Sequence, residues 1–405
     1  MKRICLVMVA LFVHVFGLLA QTTDTSSYRS RQLTLQEMNL VGSYYHQDGD
    51  RSAVTGGIGT QLLSDYSMQF DLKLQQYNRK QHQVNWIGNL GVDYYTSASS
   101  DNINPGSISS ASSRDLRVYP SVIRSITQEK TGFVHQYGLS YSHESDYRSY
   151  GITGGFTIQS ADRNTVLTVN SWLYFDQLKK ILPYELRTAE TGGIIGAPNQ
   201  HRYPWVKRNT YSGSFSLSRV INPRWQVLAL LDLTYQHGFL SMPFHRIYFK
   251  DLALSTENLP VARYKIPIAI RSANFWNDWF ITRAGYRFYL DDWGMKAHTA
   301  DMECTAKINP FFSVSAFYRY YQQTAIDYFK PYGEHDRFEE VYFTSNYDLA
   351  ALYSQYFGMG MRWVPLKGLL GNKHWKSIEC RYGHYERSDG LRADQFSIHV
   401  AYKRS

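Results

Sequence analysis

Three cysteines in 405 residues are too few for a disulfide framework, so an exported chain of this kind must be held together by burial and strand pairing. Long apolar runs are also missing. Beyond the N-terminus the longest is "VLALL" at 227–231, which ends at Asp232 and falls far short of the ~20 residues that a spanning helix needs. Charge of one sign is never concentrated. The formal net charge is +9, yet the basic residues are scattered, which excludes the clustered stripe of a nucleic-acid-binding surface. No nucleophile elbow, no H-E-x-x-H pair and no close Cys/His ligand spacing occurs, so the sequence is read as a non-enzyme without cofactor or metal.

What is present begins with "MKRICLVMVALFVHVFGLLAQ". A short basic start (Lys2, Arg3), an apolar run and Ala20 before Gln21 form the layout of a cleaved secretory signal peptide over residues 1–20. A membrane anchor helix is the competing reading, but the run is marginal in length for it. Cys5 lies inside the run and not at its end, which argues against a lipoprotein cleavage site.

The mature chain carries a two-residue rhythm. "MQFDLKLQ" sets Met68, Phe70, Leu72 and Leu74 against Gln69, Asp71, Lys73 and Gln75. "FITRAGYRFYL" sets Phe280, Ala284, Tyr286, Phe288 and Leu290 against Arg283, Arg287 and Tyr289, and "DMECTAKI" sets Met302, Cys304, Ala306 and Ile308 against Asp301, Glu303, Thr305 and Lys307. Successive strand side chains point to opposite faces, so each segment has one oily and one wet face. Short turns such as "EKTG" (129–132), "INPR" (221–224) and "NPF" (309–311) alternate with longer loops at 97–115, 177–208, 238–262 and 323–346. Two connections of the second set, "DDWG" and "SDGLR", are brief.

Short turns at one end and mostly longer loops at the other are the organisation of a bacterial outer-membrane barrel. Aromatics make up 16% of the chain, with 33 tyrosines, and gather near strand ends in "VGSYY", "NSWLYF" and "NFWNDWF", where an apolar body with a polar tip suits the level at which lipid meets water. The expected fold is therefore all-β: a transmembrane antiparallel up-and-down barrel of about 16 strands. Their centres fall near residues 42, 70, 89, 121, 138, 155, 170, 215, 231, 267, 284, 301, 317, 356, 381 and 398. The first and tenth are the weakest, the tenth because Pro267 sits inside it. The expected organisation is a short periplasmic segment over 21–36 and the barrel over 37–405. The last strand alternates too: Phe396, Ile398, Val400 and Tyr402 are apolar, with Ser397 and His399 between them.

Several stretches resemble an outer-membrane β-barrel family of unknown function found in Bacteroides-type bacteria. They are "SYYHQDGDRSAVTGGIGTQLLSDYS" (43–67), "GVDYYTSASSDNINPGSISSASSRDLRVY" (91–119), "LDDWGMKAHTADME" (290–303), "FYRYYQQTAIDYFKPYGEH" (317–335), "TSNYDLAALYSQYFGMGMRW" (344–363) and "CRYGHYERSDGLRADQFSI" (380–398). The resemblance implies location in the outer membrane; genes of the family often neighbour those for a thioredoxin-like protein and a flavin transferase, which hints at extracytoplasmic redox without assigning it to this chain. It carries no activity with it. Outer-membrane barrels commonly end on a strand read by the barrel-assembly machinery; "FSIHVAY" looks like that strand, with Lys403, Arg404 and Ser405 as a departure after its terminal aromatic.

A barrel of this size is wide enough for an aqueous channel. Interior positions would put Arg283, Arg287, Asp301, Glu303, Lys307, Arg319, Glu379 and Arg381 on its wall, either as a selectivity element for charged solutes or as a salt-bridge ladder that keeps the wall rigid. Only ~16 residues precede the first strand, too few for the plug of an energised import receptor, so any obstruction must come from loops. The 177–208 loop is the candidate. Asp48 and Asp50 lack full calcium-loop spacing, and "GEHDRFEE" (333–340) reads as a charged loop. Cys304 and Cys380 fall three strands apart, about 14 Å, beyond disulfide reach. The expected function is a porin-like channel for small hydrophilic or charged solutes. The alternatives are a closed barrel anchoring a surface or periplasmic complex with a redox-linked partner, and, third, an outer-membrane hydrolase. Lipid and the assembly machinery are the other expected partners.

Overall fold

The computed structural model describes residues 31–96, 114–186 and 203–404; the expected signal peptide and most of the 177–208 loop lie outside them. The first nine strands are β1 (Thr34–Asp48), β2 (Leu63–Tyr77), β3 (Gln83–Thr96), β4 (Arg114–Gln128), β5 (Phe133–His143), β6 (Tyr147–Gln159), β7 (Thr165–Lys179), β8 (Trp205–Asn222) and β9 (Trp225–Gly238). A small hairpin follows, β10 (Arg246–Tyr248) and β11 (Leu254–Thr256). The remainder are β12 (Ala262–Phe275), β13 (Phe280–Asp291), β14 (Lys296–Asn309), β15 (Phe312–Gln323), β16 (Leu352–Trp363), β17 (Trp375–Arg387) and β18 (Arg392–Lys403). All but the hairpin pair antiparallel with their neighbours, and β18 closes on β1, giving a sixteen-strand barrel. Every expected strand centre falls inside one of the sixteen. β1 starts at Thr34, slightly ahead of the expected boundary at 37.

Large apolar side chains cover the outside. Leu139 is 61% exposed and Met359 55%, and Ile268, Ile270, Phe357 and Met361 lie similarly bare. In water this would be unfavourable at about 25 cal/mol per Å²; against hydrocarbon it is neutral to favourable. No described helix is long and apolar enough to cross a membrane; the described helical segments are short 3₁₀ turns.

The two prolines inside strands are accommodated by interrupting one ladder each. Pro267 on β12 faces Tyr289 of β13, while the pairing of β12 with β9 skips from Lys265↔Thr234 to Ile268↔Leu231. Pro120 on β4 faces Leu90, and the pairing with β5 skips from Val118↔His143 to Ser121↔Ser140. Proline has no N–H to donate, so one side of the strand gives up a rung and the other keeps its register.

One end of the barrel carries tight turns, at 129–132, 223–224 and 310–311, with one longer connection at 364–374. The other end carries the loops 49–62, 239–261 and 324–351 beside the short links 144–146, 292–295 and 388–391. Of these, 239–261 and 324–351 correspond to the expected long loops 238–262 and 323–346. Both fold into a cap around a buried cluster of Leu259, Trp293, Met295 and Ile326, with Leu240, Tyr328, Phe329 and Leu349 packed against it.

Candidate functional site: the barrel interior and its cap

The interior face is built from the positions opposite the exposed apolar ones. Toward the short-turn end is a paired-charge patch. Arg283 on β13 meets its register partner Glu303 on β14 at 2.9 Å. From β17, Arg381 reaches the other oxygen of Glu303 at 2.6 Å and Glu379 at 3.4 Å. Two strands lie between Arg381 and Glu303, and the crossing is possible because β16 presents Gly358 and Gly360 there. A Cβ at Gly360 would sit 3.2 Å from Arg381 Cγ. The guanidinium passes over the Phe317 ring at 5.0 Å. Lys307 stands further toward the turns, exposed, its backbone N–H bonded to the Trp279 carbonyl at 2.7 Å; among the described residues it makes no ion pair.

Closer to the cap, Arg287, Asp301 and Arg319 line a cavity of about 390 Å³ together with Arg271 and the tyrosines 321, 356 and 385. A second cavity of about 480 Å³ lies directly under the cap. It is bounded by Tyr45, Gln47 and Gln395 of the wall and by Ser52, His245, Asn346 and Asp348 of the loops. The two share Tyr356 and Tyr385, so they are contiguous along one side of the barrel. On the opposite wall Gln69, Asp71, Asn89, Tyr119 and Asp176 border a third, of about 630 Å³.

The cap is fastened by polar bonds as well as by its apolar cluster. His335 is completely buried (0% exposed); Nδ1 faces the Glu340 carboxylate and Nε2 the Thr344 carbonyl at 3.0 Å. Burial alone would raise the Glu340 carboxyl, but hydrogen bonds from Lys330, His335 and the Asp336 N–H outweigh it and hold the group at about 2. The same contact raises Lys330 above its ordinary value. Glu257, also buried, accepts from the Met242 N–H at 2.6 Å and from the Thr344 hydroxyl. Asn258 and Phe343 exchange backbone bonds of 3.1 and 2.8 Å, joining the two long loops. The 49–62 loop joins them where Arg246 donates to the Val54 carbonyl at 2.8 Å. Asp348 ties the cap to the wall through Arg387, which also holds Asp389 at 2.7 Å. The stretch 333–340, expected to be a charged loop, is thus partly an internal fastening. A burial-driven role for His335 has no periodic signature by which the sequence could announce it.

At the same end, one oxygen each of Asp115, Glu144 and Asp146 lie within 4.8 Å of one another. Tyr95 donates to Glu144 at 2.7 Å, Arg117 lies 3.4 Å from it, and Ser145 donates to Asp115 at 2.7 Å. Burial pushes the Glu144 and Asp146 carboxyls up. On the terminal strand Phe396 and Ile398 are exposed on the outer surface, Val400 is half-buried, and Tyr402 is buried beneath His374 and Trp375. Cys304 and Cys380 are both free. Arg271 was missed from the sequence, although Ile268 and Ile270 outward on β12 put it on the interior face by alternation alone.

Residues 114–392 match the family described as "Protein of unknown function (DUF3570)". The match spans more than half of the chain, which therefore belongs to that family. No curated protein matches the sequence. Among solved structures the chain is similar to OpdK of Pseudomonas aeruginosa with vanillate, at 8% identity over 93% of this chain and 100% of that one, TM-score 0.43. It is similar to OccK11 (OpdR) of the same organism at 9% identity over 92% and 96%, TM-score 0.43. A structure titled "Bacterial polysaccharide outer membrane secretin" matches at 8% identity over 92% and 99%, TM-score 0.45.

Proposed function

We propose that this protein is an outer-membrane β-barrel whose interior admits small hydrophilic or charged solutes, reached after export by a cleaved signal peptide. The observation that carries the reading is the inversion of polarity across the wall: apolar side chains bare on the outside, and arginines, carboxylates, glutamines and tyrosines around contiguous cavities inside. A closed hydrogen-bonded ring pairs its backbone groups without water, apart from the rungs given up beside Pro120 and Pro267, which is what a hydrocarbon layer demands. Phe396, Ile398, Val400 and Tyr402 would then serve as the strand read by the assembly machinery. Purified protein in planar bilayers tests the reading. Discrete conductance steps are expected, and a folded barrel that inserts without any step overturns it.

A second reading has its own observation. The cap joins three loops over the mouth and is pinned to the wall by Asp348 and Arg387, as befits a closed barrel that anchors a surface or periplasmic complex, redox-linked as the family resemblance suggests. Replacing 327–346 with a short Gly/Ser linker separates the two: conductance seen in the trimmed protein alone favours the closed barrel.

A further inference from the structure

The interior arginines fall into two groups. Arg117, Arg208, Arg263, Arg283, Arg381 and Arg387 each touch a carboxylate; Arg362, beside the outward Met361 on β16 and outside the cavity that Arg271 lines, makes no ion pair among the described residues. Arg271, Arg287 and Arg319 touch none; among the described residues no carboxylate oxygen comes within 4.0 Å of their nitrogens. All three are exposed to the barrel interior, and all three line the same cavity of about 390 Å³, where Asp301 is the one carboxylate. Three cations against one anion leave that hollow with an excess of two positive charges.

The register explains the hollow. One row across the strands reads Arg271, Gly285, Asp301, Arg319, Tyr356, Tyr385. The row above it, toward the cap, reads Ala269, Arg287, Thr299, Tyr321, Ser354. Small residues at Ala269, Gly285, Thr299 and Ser354 leave the floor low between the long side chains. The Asp301 carboxylate lies over Gly285, where a Cβ would come within 2.9 Å of Oδ1. It therefore leans toward β13, and Arg319, its register partner on β15, is left unpaired.

We propose that this hollow is a binding site for a small polyvalent oxyanion bearing carboxylate or phosphate groups. Guanidinium forks match the planar or tetrahedral oxygens of such groups in pairs, and tyrosine hydroxyls supply neutral donors beside them. A cationic hollow with protein walls concentrates anions before they bind. The approach is from under the cap, through the volume that shares Tyr356 and Tyr385. The proposal rests on the reading that solutes enter the interior, and its test does not require that they pass through.

Detergent-folded protein is titrated calorimetrically with inorganic phosphate and, separately, with citrate at low salt. Saturable binding to the wild type is expected, weakened about tenfold or more in R271Q/R287Q/R319Q and weakened less in R271K/R287K/R319K, which keeps the charge and loses the fork. Tighter citrate binding assigns carboxylates, tighter phosphate binding assigns phosphates. The heat-modifiable band on a gel confirms that each variant is folded. No saturable binding by the wild type, or equal binding by wild type and the glutamine variant, overturns the site. A barrel that binds but gives no conductance step keeps the site and loses the channel, so the two failures are distinct.

Discussion

Ile270 on β12 and Ile326 in the 324–351 loop are the same side chain put to opposite uses. The first is 53% exposed on the outside of the barrel; the second, 3% exposed, is sealed beside Leu259 and Trp293 in the cap. The wall is built for an apolar surrounding and holds itself by its ladders, with no matching cluster of buried apolar side chains among its described residues. The cap is built for water and holds itself as a soluble domain does, by removing oil from it. Two solvents have shaped two parts of one chain, and the parts should therefore fail separately.

The largest expected effect is on the wall. A Cβ at Gly358 would lie 2.1 Å from the Tyr382 carbonyl oxygen and 2.6 Å from Phe317 Cζ, whereas at Gly213 nothing stands within 4 Å. Gly358→Val should abolish the heat-modifiable folded band and Gly213→Val should keep it; equal yields from the two would break the account of a tightly paired wall. Next comes the cap core. Ile326→Ala should weaken the cap by about 2–5 kcal/mol, read as faster hydrogen exchange in 239–261 and 324–351 while thermal unfolding of the wall stays put. A parallel loss in both would mean that cap and wall are one cooperative unit. Smaller again is His335→Ala, about 1–3 kcal/mol through unsatisfied partners at Thr344 and Glu340, seen in the same exchange experiment.

The pH dependence sharpens the contrast further. Glu340 is held at about 2 in the folded cap against an ordinary 4.5, so its contribution is fully present above pH ~4.5 and is lost as the pH falls from there toward 2. Loop protection should decline over that window in the wild type and show a smaller decline in Glu340→Gln; an identical acid profile in the two would remove Glu340 from the fastening. The least effect is expected from the thiols: Cys304 and Cys380 are free, and mobility should be the same with and without reductant.

The wall was legible because its code is local. Alternation at Met68–Leu74 or Phe280–Leu290 states both the strand and its faces, and even Pro267 did not hide β12, since a barrel strand has two neighbours and can lose rungs to one of them. The same code would have delivered Arg271 had the isoleucines around it been followed to the end of the strand. The cap was opaque because its contacts are long-range and aperiodic. Nothing near Asn258 in sequence points to Phe343, and Thr344 meets Glu257 only after both loops have folded. Alternation assigned the expected interior charges to one face of each strand, but not which of them would pair. That depends on Gly358 and Gly360 clearing a path for Arg381 and on Gly285 receiving Asp301, both matters of cross-strand neighbours rather than of spacing along the chain.

The pairing of Glu37 with Lys403 and of Asp48 with Arg392 has a consequence for biogenesis. A hoop closed by β1 on β18 has no partial form that is finished: until β18 is in place, β1 and β17 each expose a row of bare amides and carbonyls that invites stray partners. Removing β18 should leave sticky intermediates rather than a smaller ring.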